Sequence, residues 1–270
     1  MIRTLFLSII VTVFSSCSSK NIDLETRIEK AFYYADKNNL KDEIISTKNF
    51  EIFSLLNKNE SCKKLNVYIE GDGLAFLNKT TISPNPTPVN SILLKNLNLD
   101  NSSCKVYLAR PCQYYMASSC NSSFWTNKRF SKEVIESYLE VFDYLKKRYK
   151  NDSFNIIAHS GGASVAIILS SFRVDIDNLI TFAGNFDIEK WVELKNLNPL
   201  EGSLNPKDFA YKLENLKQYH FIANKDEVLP KEVFFSYLNS FKSRKNIQYK
   251  IIDANHNCCY ENSFKIINKL

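Results

Sequence analysis

The run Phe154-Asn155-Ile156-Ile157-Ala158-His159-Ser160-Gly161-Gly162-Ala163-Ser164-Val165-Ala166-Ile167 decides the fold. Residues 154–158 are mostly apolar and β-branched, as in a short buried strand, and 162–172 continue as an apolar helix. Between them Ala158-His159-Ser160-Gly161-Gly162 matches the pattern G-x-S-x-G, with Ala158 in place of the first glycine. That pattern acquires meaning only where a strand turns sharply into a helix, because the tight turn needs small neighbours and presents the serine hydroxyl at its apex. Five matching residues alone are weak evidence. Their position between these two elements makes Ser160 a candidate nucleophile.

Outward from this run, strands are expected at 50–56, 65–69, 105–109, 179–183, 219–223 and 247–252. Helices are expected at 23–38, where Ile28, Phe32 and Ala35 share a face, and after the proline-rich loop 83–88 through Leu97. Ser131 caps a long helix with Val134, Tyr138, Phe142 and Leu145 on its inner face. Further helices follow at 231–241 and from about residue 262. Strand and helix alternate, which implies an α/β fold with a mostly parallel central sheet and helices on both faces. Only the loop-rich stretch 185–217 breaks the rhythm. Residues 17–49 read as a tether and a helix, and 50–270 as one domain.

The chain has 270 residues, 44% of them hydrophobic. That is enough to bury a core without help from metals or disulfides. The formal charge of +6 is scattered. The densest run, Lys146-Lys147-Arg148, closes an expected helix, where cations complement the dipole. With no interleaving of aromatic and basic residues, no nucleic-acid partner is expected.

The N-terminus reads as an address. Met1-Ile2-Arg3 is followed by an apolar stretch over 5–14 and then by Phe14-Ser15-Ser16-Cys17. The stretch is short of the ~20 residues that span a bilayer, but it suits a secretory signal peptide over 1–16. Small residues before Cys17 resemble a bacterial lipobox, which implies a lipid on Cys17 and attachment to the cell-envelope membrane. Ordinary cleavage near Ser19 is the second reading. Export gives the other six cysteines, Cys62, Cys104, Cys112, Cys120, Cys258 and Cys259, a reason to pair. Six cysteines allow fifteen pairings.

A serine hydroxyl needs a base within hydrogen-bond reach, and the chain has only three histidines. His220 starts a strand, at the end opposite to where open parallel sheets place their sites. His159 adjoins Ser160, and the elbow turns neighbouring side chains in different directions. His256 follows the strand at 247–252, at the favourable end. The group that orients it is expected to be Asp226, after the strand at 219–223, with Asp187 in reserve. The chain order Ser160, Asp226, His256 is the order known from one large hydrolase fold.

Over residues 50–270 the chain resembles the α/β hydrolases, and among them exported, lipoprotein-like bacterial proteins of unassigned substrate. The likeness to the latter is carried by Tyr68-Ile69-Glu70-Gly71-Asp72-Gly73, Ala109-Arg110-Pro111-Cys112-Gln113-Tyr114, Gly202-Ser203-Leu204-Asn205-Pro206 and His256-Asn257-Cys258-Cys259. It implies an α/β-hydrolase fold with an eight-stranded type of sheet, although seven strands are visible. It implies an oxyanion hole from the backbone N–H groups of Gly161 and Asp72. Glu70 stands where the family usually has histidine, so two acids lie beside an anion site and must be paired or turned away. It implies a lid-like insertion at 185–217, in which Trp191, Val192, Leu194, Leu197 and Leu200 line an acyl pocket or form the lid's own core. The family's strand order puts Cys62 and Cys104 at one end of adjacent strands and predicts that they pair. Links between the pair Cys112, Cys120 and the pair Cys258, Cys259 are then expected.

The implied activity is hydrolysis of a carboxylic ester, or an amide or thioester, through an acyl-enzyme on Ser160. The substrate would be a small-molecule or lipid-like ester, and no metal or organic cofactor is required. An acyltransferase with the same triad, or a non-catalytic envelope binding lipoprotein on a hydrolase scaffold, would share these residues.

Overall fold

The computed structural model describes residues 23–58 and 61–269. The expected signal peptide and Cys17 lie outside them. In chain order the elements are α1 (Leu24–Lys37), β1 (Leu40–Ser46), β2 (Glu51–Asn57), β3 (Lys64–Ile69), α2 (Ile92–Asn96), β4 (Lys105–Leu108), α3 (Lys132–Tyr149), β5 (Ser153–His159), α4 (Gly161–Ser170), β6 (Ile176–Phe182), α5 (Ile188–Lys195), β7 (Lys217–Ala223), α6 (Lys231–Leu238), β8 (Ile247–Ile252) and α7 (Glu261–Phe264). The eight strands form one sheet in the order β1-β2-β4-β3-β5-β6-β7-β8. The pairs β1–β2 and β2–β4 are antiparallel, and every pair from β4 to β8 is parallel.

The alternation of side chains along each strand divides the core into two layers. Val67, Ile69, Ile156 and Ala158 pack on one face with Tyr138, Phe142 and Leu145 of α3 and with α4 and α6. Tyr68, Tyr107, Ile157 and Ile180 face the other way, onto Ala31 of α1, Leu93 of α2 and Phe264 of α7. Central strands buried on both faces read as continuous apolar runs, which is why β5 is so legible.

β1 was not expected, since residues 17–49 read as tether and helix. It is an edge strand with only Leu40 and Ile45 buried, and Lys41, Asp42 and Glu43 interrupt any apolar pattern. Charge along an edge discourages further pairing. The face of α1 is also rotated from expectation. Arg27, Ala31 and Ala35 point inward, while Phe32 is 43% exposed and meets the ring of Phe53 edge-on. The stretch 185–217 holds α5 and a 3-10 segment, Pro206–Lys212, rather than loop alone.

Cys62 and Cys104 form a disulfide where β3 and β4 begin, with Cα atoms 5.8 Å apart, as the strand order requires. Closing a loop across 42 positions stabilises the fold by about 4 kcal/mol in the chain-entropy model. Among the described residues no helix is long and apolar enough to cross a membrane.

Candidate active site

β5 ends at His159, α4 begins at Gly161, and Ser160 bridges them with φ 51° and ψ −124°. A non-glycine residue in that region is strained, and such strain concentrates at functional sites. The elbow closes because α4 starts with two glycines. A Cβ on Gly162 would land on the main-chain carbonyl oxygens of Ile69 and Glu70, and one on Gly161 would land on the carboxylate of Asp72. As the first residue of α4, Gly161 has an N–H with no acceptor in its own helix.

The other expected residues converge on Ser160. The loop after β8 brings His256 Nε2 to 3.0 Å from Ser160 Oγ. Asp226, in the loop after β7, lies with Oδ2 2.8 Å from His256 Nδ1. Its Oδ1 accepts from the N–H groups of Val228 and Leu229, each at 2.8 Å. An ionised carboxylate only accepts, so Nδ1 carries the proton and Nε2 is free to accept from the Ser160 hydroxyl. The side chain of Asp226 is 2% exposed and that of His256 12% exposed. The arrangement can move a proton from the serine hydroxyl to the imidazole while the carboxylate holds the ring.

Both acids after β3 are accounted for. Asp72 Oδ1 meets Arg110 Nη1 and its Oδ2 meets Arg129 Nη1, both at 2.9 Å. Burial opposes the charge of Asp72, but Arg129 and Arg110 outweigh it and hold the carboxyl below its usual range. Arg110 also donates to the carbonyl of Arg129. Glu70 accepts from Ser91 Oγ, from Tyr107 Oη at 2.7 Å and from the Gly71 N–H at 2.8 Å. Burial raises its pKa despite those donors. Neither arginine was given a role from the sequence. The two acids had to be paired or turned away, but spacing does not say which of the 35 Lys and Arg residues would pair with Asp72.

No protein-family model and no curated protein matches this sequence. Solved structures do. An α/β serine hydrolase homologue from Coxiella burnetii superposes over 85% of this chain and 96% of its own, at a TM-score of 0.58 and 13% identity. Est1E from Butyrivibrio proteoclasticus superposes over 84% and 96%, at 0.56 and 15%. The esterase Pf2001 from Pyrococcus furiosus superposes over 85% and 89%, at 0.58 and 13%. The chain has the α/β-hydrolase fold.

On this α/β-hydrolase scaffold Ser160 and His256 sit in an open cleft of about 940 Å³. Its lining includes Tyr34 of α1, Phe76, Ile92 of α2, Tyr114, Trp191 and Leu229, together with the charged Arg27, Lys30, Lys95 and Arg129. Of the five apolar residues expected in the lid, Trp191 alone lines the cleft. Its Nε1 donates to the carbonyl of Val228 at 2.9 Å. Val192 and Leu200 pack on the core, and Leu194 and Leu197 are exposed. The contribution of α1 and α2 to this lining was not foreseen, because both lie far from Ser160 in the chain and only the fold brings them to the cleft.

The expected cross-links at this end of the sheet are corrected. Cys112 pairs with Cys120, and Cys258 with its neighbour Cys259. Cys112 and Cys120 pack with Ala75 and Trp125, which holds them in a separate cluster. Asp187, the reserve acid, caps α5 instead. It accepts from Ser236, Asn205 and the N–H of Lys190 and pairs with Lys207. His220 is buried between Thr181 and Gln218, and burial pushes its pKa down to about 3. His159 is likewise buried, with Nε2 2.9 Å from the main-chain carbonyl oxygen of His256. Among the described residues no cluster of His, Cys, Asp and Glu has the arrangement of a metal site.

Proposed function

We propose that the chain is a serine hydrolase that cleaves a carboxylic ester through an acyl-enzyme on Ser160. The observation that carries this reading is the continuous hydrogen-bonded line Asp226–His256–Ser160 at a strained elbow. Ser160 Oγ attacks the ester carbonyl as its proton passes to His256 Nε2, and Asp226 stabilises the imidazolium. The oxyanion is held by the N–H groups of Gly161 and Asp72. Collapse expels the alcohol, which takes the proton from His256. Water, deprotonated by the same nitrogen, then releases the acid and restores Ser160. The two arginines on Asp72 remove a bare negative charge from beside the oxyanion, which favours this hole. The cleft lining mixes aromatic and aliphatic side chains with Arg27, Lys30, Lys95 and Arg129, which favours a small-molecule or lipid-like ester that has both an apolar and a polar part.

The test is turnover of esters of increasing acyl length by wild type and Ser160→Ala, with and without added acceptor alcohols. Loss of about 10⁴-fold or more in the variant, with free acid as the product, is expected. Wild-type turnover by folded Ser160→Ala contradicts the reading, and ester formation with the added alcohol would make the chain a transferase.

We infer further that the chain is exported and anchored through a lipid on Cys17. The N-terminal apolar run supports this, as do three disulfides, which persist in oxidising compartments. Labelled fatty acid should mark wild type and not Cys17→Ser; equal labelling of the two excludes the lipid.

A further inference from the structure

We propose that His159 is a positioning residue that fixes the main chain of the loop carrying His256, a role that rests on the triad reading above. His159 is the last residue of β5, next to Ser160, and is 6% exposed. Its Nε2 lies 2.9 Å from the carbonyl oxygen of His256. A carbonyl can only accept, so the proton sits on Nε2 and that nitrogen donates. The two imidazoles are 5.1 Å apart between centroids, and the ring of Tyr260 stands edge-on to His159 at 6.3 Å. On its other side His159 faces the oxyanion loop, where a Cβ on Gly71 would sit 3.2 Å from Nδ1. One buried side chain therefore lies against Gly71 in the loop after β3, adjoins the nucleophile and holds the base.

His256 sits beyond the last strand of the sheet, on irregular backbone tied on either side of it: the Lys225 N–H donates to the carbonyl of Ala254 at 3.0 Å, and the Asn257 N–H to Asn255 Oδ1 at 2.9 Å. Tyr260 Oη donates to the carbonyl of Asn255 at 2.7 Å, and Asn255 bridges to Cys258. The bond from His159 secures the next carbonyl. Asp226 orients the ring of His256 through Nδ1, while the bond from His159 acts on the main chain of the same residue. Fixing both ends of the residue sets the separation of Nε2 and Ser160 Oγ. Displacement of a reacting group by about 1 Å is enough to cost on the order of 10²-fold. The donor is also permanent. Burial and then the neighbouring His256 push the pKa of His159 down to about 3, so a second imidazolium does not form beside the base at working pH.

The test compares His159→Gln, His159→Asn and His159→Leu. Glutamine places its amide nitrogen where Nε2 stood, asparagine places it one bond short, and leucine removes the donor. For a small soluble ester, the account expects kcat of the glutamine variant within about 3-fold of wild type. The asparagine and leucine variants should lose about 10-fold or more, with KM unchanged. The acid limb of the pH–rate profile should stay in place in the glutamine variant, because His159 does not titrate there. All three variants near wild type, or all three equally slow, overturn the proposal. If the leucine variant does not fold, the glutamine–asparagine difference decides. Labelling of wild type by a fluorophosphonate, run alongside, separates failure of this role from failure of the hydrolase reading: an unlabelled wild type sinks the latter.

Discussion

His256 Nε2 and Ser160 Oγ are 3.0 Å apart, although 96 positions separate the two residues in the chain. Their strands, β8 and β5, are not neighbours either, since β6 and β7 lie between them. The contact exists because parallel strands bring all their outgoing loops to one end of the sheet. The same geometry delivers Asp226 from β7 and Asp72 from β3.

Asp226→Asn should lower turnover by about 10⁴-fold, because an amide nitrogen facing Nδ1 forces the wrong tautomer on His256. Asp187→Asn should change kcat by less than about 10-fold. It loosens α5, whose first turn and neighbours Ser236, Asn205 and Lys207 depend on that carboxylate. Steady-state kinetics of the two variants, with melting curves to show folding, check the assignment. The reverse ranking would move the acid to Asp187.

Asp72→Asn should leave two buried guanidiniums without their counterion. Breaking such a cluster from one side costs about 3–5 kcal/mol, or a fall in Tm on the order of 10 °C for a domain of this size. The folded pKa of Asp72 lies below the ordinary 3.8. Its contribution is therefore present above 3.8 and is lost as pH falls through the lower, folded value. Chemical unfolding at neutral pH checks the first claim; an asparagine variant as stable as wild type would mean that the arginines are satisfied without Asp72.

The meeting of Ser160, Asp226 and His256 was legible because each follows an expected strand, strongly apolar for β5 and only alternating for β8, and because elimination among three histidines leaves one. Seven of the eight strands were visible for the same reason. β1 was hidden by the charges that protect its edge. The pairing of Cys62 with Cys104 followed from the strand order that the α/β-hydrolase resemblance implies, in which both sit where neighbouring strands begin. The other four cysteines lie in irregular loops, where no register fixes which sulfur meets which, and cross-links were wrongly expected. The arginine clamp on Asp72 comes from the segment after β4 and from the turn before α3. Only the fold brings those two places to the end of β3.

Acid sensitivity should be set in part by the two buried neutral histidines. His159 and His220 have an ordinary value of 6.5 when exposed and about 3 when folded, burial being the main cause in both. The unfolded chain binds protons first, so their contribution is complete above 6.5 and is lost as pH falls towards 3. At pH 5 each accounts for about 2 kcal/mol. Urea midpoints measured from pH 7.5 to 4.5 should fall steadily, and His220→Gln should flatten the slope by about half of the histidine share without changing turnover. An unaltered slope in that variant would show that His220 does not stay neutral in the fold.

The proposed function stands on Ser160 as a nucleophile activated by His256 and Asp226. Incubation of the folded protein with a fluorophosphonate, followed by peptide mass spectrometry, tests it most directly. One adduct is expected, on the peptide containing Ser160, formed quickly in wild type, slowed by several orders of magnitude in His256→Ala, and absent in Ser160→Ala. A folded wild-type protein that acquires no adduct, or acquires it equally in Ser160→Ala, would contradict it.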